Sequence, residues 1–158
     1  MKGFIPAIAA VWLTLGGAAY AQSSPWQFAE SRDALTDEVR YVAFTDWRGR
    51  SMLIVACNTE YFRIVAKTQY LDIMMGDVRE VTWRVDDHAP VTQSWVNMRK
   101  SGAAIDGKEA VEMARAIEAA KSRVVIRSGH NDTYIFDVTG STAAISKVTE
   151  SCQNPLLD

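Results

Sequence analysis

The densest group of side chains able to do chemistry in this sequence is Asp86-Asp87-His88, two carboxylates and an imidazole in successive positions before Pro90. Carboxylate oxygen and imidazole nitrogen are ordinary zinc ligands. A zinc site, however, draws three or four ligands from separate elements, and the chain holds only one further histidine, His130. The same residues could supply acid and base to a hydrolase. They also suit a polar hairpin turn, which needs no partner. His130-Asn131-Asp132 has the same double character: Asn and Asp tolerate the positive φ of a turn, and Asn131-Asp132-Thr133 reads as a glycosylation sequon. Nucleophilic catalysis would need Ser or Cys beside a base that is itself held by a third group, and neither a Gly-x-Ser-x-Gly elbow nor a phosphate-binding glycine loop is written in the chain. Neither catalytic residues nor a cofactor or metal site is therefore assigned from the sequence.

The two cysteines, Cys57 and Cys152, carry the firmest chemistry. They form no Cys-x-x-Cys pair, and no histidine lies near either in sequence. An even count in an exported chain reads as a disulfide. The long loop it closes makes it worth roughly 4–5 kcal/mol in the chain-entropy model. Export is itself read from the N-terminus. Lys2 is followed by the apolar run Phe4–Leu13, and Ala19-Tyr20-Ala21 puts small residues where signal peptidase expects them. The run is short for a bilayer span of about 20 residues. Residues 1–21 are expected to be a signal peptide, with the mature chain beginning at Gln22 in the periplasm or outside the cell.

Cleavage there removes one lysine and no acid, moving the formal charge from −2 to −3. Such mild acidity argues against nucleic acid, whose phosphates demand a basic face. A hydrophobic fraction of 48% with five tryptophans describes a folded domain with one core. No later segment is apolar enough to cross a membrane as a helix.

The elements follow from periodicity. Residues 22–38 read as an extended leader from which Trp26 and Phe28 dock on the body. Val39–Phe44, Met52–Cys57 and Tyr61–Thr68 read as an antiparallel meander whose middle strand is covered on both faces. Val78–Asp86 alternates, with Val81, Trp83 and Val85 on one side, and Val91–Arg99 is its hairpin partner. Asp106 and Glu109 have the spacing of a capping box, ahead of the stripe Ala110, Met113, Ala114, Ile117 and Ala120. Arg123–Arg127 and Thr133–Val138 form a second hairpin. Ser141 caps a last helix that buries Ala144, Ile145, Val148 and Cys152, and 154–158 form a tail. The order β-β-β-β-β-α-β-β-α predicts an α+β domain over 39–153: a mainly antiparallel sheet of about seven strands with two packed helices.

Two apolar groups stand outside this core pattern and could form a partner surface: Tyr70, Leu71, Met74 and Met75 with Ile73 in a connection, and Trp95 with Met98 on a strand expected at a sheet edge. Covering the core from the side is the alternative use of the same residues.

The segments Leu35-Thr36-Asp37-Glu38, Met52-Leu53-Ile54-Val55-Ala56-Cys57-Asn58, Val81-Thr82-Trp83-Arg84-Val85-Asp86-Asp87, the later Trp95, Phe136-Asp137-Val138-Thr139-Gly140-Ser141 and Cys152 together resemble the VasI-like family of exported proteins, found near type VI secretion genes. The likeness spans about residues 26–153 and departs at Ala56, where such proteins tend to carry Arg. A lesser likeness is to the invasion-associated locus B proteins, whose cysteine pattern is richer. The resemblance implies an envelope protein without assigned catalysis. The expectation is a non-enzymatic periplasmic binding or accessory protein whose partner is a protein or cell-wall component. The alternative is a periplasmic hydrolase acting on cell-wall material through Asp86, Asp87 and His88.

Overall fold

The computed structural model describes residues 25–45, 51–68, 77–98, 102–128 and 132–158. They form an α+β domain: β1 (Trp26–Arg32), β2 (Val39–Thr45), β3 (Ser51–Cys57), β4 (Phe62–Thr68), β5 (Val78–Val85), β6 (Val91–Met98), β7 (Gly102–Asp106), α1 (Gly107–Glu118), β8 (Arg123–Ser128), β9 (Asp132–Asp137), α2 (Ser141–Ser151) and a short 3-10 turn, Pro155–Leu157. The strands make one sheet in the order β1-β2-β3-β4-β7-β6-β5-β8-β9, every neighbouring pair antiparallel. The expected meander and both hairpins are present.

Nine strands replace the expected seven or so. One addition lies in the supposed leader: Trp26–Arg32 pairs along its whole length with β2, Trp26 opposite Thr45 and Arg32 opposite Val39. Its apolar residues are confined to one half, which hid it. Trp26 is buried and Phe28 stacks on Tyr41 at 6.5 Å, so both do dock on the body. The other addition is β7, Gly-Ala-Ala-Ile-Asp, with no β-branched alternation to announce it. It is a central strand between β4 and β6, buried from Gly102 to Ile105, and small side chains are what a strand covered on both faces accommodates.

The inner face of the sheet is continuous. Register places Ala43, Val55, Ile64 and Ile105 side by side on one half, and Trp83, Ile126 and Tyr134 on the other. Alternation in β5 is as expected, with Val81, Trp83 and Val85 buried. In β3 the inner residues Leu53, Val55 and Cys57 are fully buried, whereas Met52 and Ile54 on the other face are only half covered. Both helices pack on the inner face: α1 over β4 and β7, α2 over β1, β2 and β3. Ala110, Met113, Ala114 and Ile117 are buried on α1, and Ala144, Ile145 and Val148 on α2, as their spacing predicts.

The sheet cannot be flat. Nine strands about 4.8 Å apart would hold the outer two roughly 38 Å from each other. Yet the indole nitrogen of Trp26, on β1, donates to the carbonyl of Asp137, on β9, at 2.8 Å. The sheet is curled until its edges meet. Alternating directions make β1 and β9 parallel, so the edges touch without extending the antiparallel ladder, and the clasp joins the start of one strand to the end of the other.

Two caps differ from expectation. Asp106 occupies the N-cap position of α1 without a side-chain cap bond. Its carboxylate is drawn sideways to Arg63, its register partner on β4, which donates from Nε and, at 2.9 Å, from Nη2. The strand-to-helix bend falls on Gly107, whose φ of 75° suits glycine. Gly140, not Ser141, is the N-cap of α2. Ser141 Oγ donates to the carbonyl of Ile117 and Thr142 Oγ1 to that of Glu118, so these hydroxyls satisfy the end of α1.

The edge clasp has a direct test. Trp26→Phe keeps an aromatic ring but removes the donor and part of the indole, and should lower stability by at least about 1 kcal/mol. Trp26→Ala also loses the buried ring and should cost about 3–5 kcal/mol. Equilibrium denaturation of the three proteins measures both.

Candidate functional site

Asp86, Asp87 and His88 do fall in the β5–β6 turn, but they do not converge. Asp86 has φ 48°, and its backbone N–H donates to the carbonyl of Arg123. Its carboxylate faces the segment between α1 and β8. Oδ2 accepts from Lys121 N at 2.8 Å. Oδ1 accepts from Ser122 N at 2.9 Å, Ser122 Oγ at 2.7 Å and Arg123 N at 3.0 Å. This ring of donors, led by the backbone N–H of Arg123, holds the Asp86 carboxyl far below the usual carboxylate range. A carboxylate so occupied is a structural anchor, tying the β5–β6 turn to the α1–β8 connection. Asp87 points into solvent, 3.7 Å from Arg123, and His88 is exposed at the turn. Among the described residues no three His, Cys, Asp or Glu side chains gather as a metal site would require. His130 and Asn131 lie outside the described residues.

The expected partner surface is corrected in part. Trp95 is fully buried on the core-facing side of β6, and β6 is not an edge: β7, unseen in the sequence, pairs along the side taken for one. Met98 is half-buried on the opposite face of the same strand. Tyr70, Leu71, Ile73, Met74 and Met75 lie outside the described residues.

The Cys57–Cys152 disulfide is formed, with Cα atoms 6.1 Å apart across 95 positions of sequence. Asn58, next to it, is 2% exposed and organises its surroundings. Its Oδ1 accepts from Glu60 N and Tyr61 N, shaping the β3–β4 turn, and its Nδ2 donates to Glu38 Oε1. Its backbone carbonyl accepts from Asn154 Nδ2 at 2.8 Å. Asn154 also caps the last 3-10 turn, so residues 154–158 are built into the body rather than a loose tail.

Beside this junction opens a cleft of about 430 Å3, walled by the β1–β2 turn (Thr36, Asp37, Glu38), Val39 and Tyr41 of β2, Asn58-Thr59 and Ser151-Cys152-Gln153. The turn is preformed: Asp33 Oδ1 accepts from the N–H groups of Leu35 and Thr36, which lowers the Asp33 carboxyl below its ordinary range. The cleft offers carboxylate, carboxamide and hydroxyl groups around the disulfide, a set suited to holding a polar group by hydrogen bonds. Sequence reasoning found its cysteines but missed Glu38, Asn58 and Gln153 as neighbours, since nothing local brings residues so far apart together.

A shallower groove of about 220 Å3 lies across β5 and β8, lined by Thr82, Trp83, Arg84, Pro90, Val125 and Arg127. Thr82 Oγ1 and Thr92 Oγ1 share a hydrogen bond at 2.8 Å at its side, and Trp83 Nε1 donates to Gln93 Oε1.

Because its pKa is depressed on folding, Asp86 contributes stability above its unfolded value of about 3.9 and loses that contribution as pH falls towards the folded value. The wild-type unfolding midpoint should therefore fall below pH 4 more steeply than that of Asp86→Asn. The variant should be the less stable protein at neutral pH. Thermal melts from pH 7 to pH 2 check both outcomes.

Comparison with protein-family models, with curated proteins and with solved structures gives no match for this chain.

Proposed function

We propose that this chain is an exported, non-enzymatic binding or accessory protein of the cell envelope, cleaved after Ala21, with a protein or a cell-wall component as its partner. The observation that carries the reading is the commitment of Asp86. Of the three residues that offered hydrolytic chemistry, one is consumed by four hydrogen bonds to residues 121–123, and the other two stand in solvent. The disulfide supports an oxidising compartment. No described helix is long and apolar enough to cross a membrane. The resemblance to the VasI-like family points to a connection with type VI secretion.

The test begins with the intact mass of the exported protein, which should correspond to a chain starting at Gln22. That protein, incubated with purified cell-wall sacculi or an envelope extract, should bind without releasing soluble wall fragments. Asp87→Ala and His88→Ala should leave both its fold and its binding unchanged. Release of wall fragments that disappears in His88→Ala would establish the hydrolase instead.

A further inference from the structure

The groove on the outer face of β5 and β8 carries two arginines that find no partner among the described residues. Register puts Thr82 opposite Arg127 and Arg84 opposite Val125. Arg84 and Arg127 are therefore diagonal neighbours on one face, about 7–8 Å apart. Arg84 is half-buried and Arg127 exposed. Neither has an ion pair or hydrogen bond among the described residues. Glu80 shares this face without pairing to either, and Arg123, farther along β8, leans on Asp87 at 3.7 Å. On a chain whose formal charge is −2, two adjacent uncompensated guanidiniums repel each other. Their planar donor forks match a carboxylate or similar oxyanion.

We propose that this groove binds an acidic glycan, Arg84 and Arg127 pairing with the carboxylate of one sugar unit. The assignment deepens the envelope-binding reading and rests on it. Three features favour a glycan. At about 220 Å3 the groove is smaller than the roughly 300–1,000 Å3 that encloses a drug-sized molecule, so it suits one unit of a polymer lying across the sheet. Val125 and Pro90 present apolar surface to a sugar ring, and the Thr82–Thr92 hydroxyl pair offers hydrogen bonds. Finally, β5 and β8 are interior strands whose backbone groups are already paired, which leaves no edge for an extended peptide to join.

Titration of the exported protein with polygalacturonate, followed by Trp fluorescence and calorimetry, tests this. Binding should be present, weaken with salt, and be absent for dextran of similar length. Arg127→Gln and Arg84→Gln should each reduce affinity about tenfold, the loss expected for one charged hydrogen-bonding group. Arg127→Lys should recover part of it. Arg127 is exposed, so its variants carry the test even where Arg84→Gln lowers the unfolding midpoint. No binding, binding indifferent to Arg127, or tighter binding to polyglutamate or to phosphatidylglycerol-containing vesicles would each overturn the assignment. Sacculus binding that persists while polygalacturonate fails would defeat the glycan groove alone, and fragment release would defeat the binding reading beneath it.

Discussion

Cys57 and Asn58 form the junction on which the rest of this molecule depends. The disulfide fixes the end of α2 to the end of β3. One residue on, the asparagine uses its side chain to shape the β3–β4 turn and hold Glu38 from the β1–β2 turn, and its carbonyl to hold Asn154. Three segments far apart in sequence, the β1–β2 turn, the β3–β4 turn and the C-terminal stretch from Cys152 to Asn154, therefore meet around two consecutive residues. A cross-link closing so long a loop is worth about 4.7 kcal/mol in the chain-entropy model. That is a large fraction of a typical folding free energy of about 5–15 kcal/mol.

The curl of the sheet and this junction support each other. Curling wraps the inner face around α1 and α2, so one layer of helix meets strands from β1 to β7. Among the described residues Trp26 clasps the two edges by a side-chain hydrogen bond, and no backbone ladder pairs β1 with β9. With α2 lying under β1, β2 and β3, anything that anchors α2 also anchors that half of the sheet. At the same end of the strands, Asp86 performs the equivalent task for the other half, joining the β5–β6 turn to the segment entering β8. Polar residues that look chemically useful in the sequence are thus spent on holding turns to one another. Among the described residues, the cleft beside the disulfide and the arginine-bearing outer face are open surfaces not spent in this way.

What could be read in the sequence was whatever has a short period. The alternation of Val81, Trp83 and Val85, the helical stripe from Ala110 to Ile117 and the pairing of the two cysteines are all local or arithmetical signals, and each is found in the structure. What could not be read depends on distant partners. The segment Gly102–Asp106 is a strand because β4 and β6 flank it, not because its small residues favour one. That same strand makes β6 an interior strand rather than the supposed edge, and Trp95 lies on its core-facing side. Asp106 is a sound N-cap by spacing, yet Arg63 across the sheet competes for its carboxylate and wins, since two charge-assisted bonds outweigh one to a backbone N–H. The role of Asp86 is hidden for the same reason: its donors lie 35 to 37 residues away. The arginine pair was equally invisible, because only the register of β5 against β8 makes Arg84 and Arg127 neighbours.

Hydrogen exchange on the oxidised and the reduced protein, read by mass spectrometry, tests the junction most directly. If Cys57 and Asn58 hold the three segments together, reduction exposes two alkylatable thiols and strips protection first from residues 141–158, 58–61 and 33–38. The β5–β6–β8 half, anchored by Asp86, keeps its protection longer. Free thiols in the protein before reductant is added, or an exchange pattern that reduction leaves unchanged, would contradict the account.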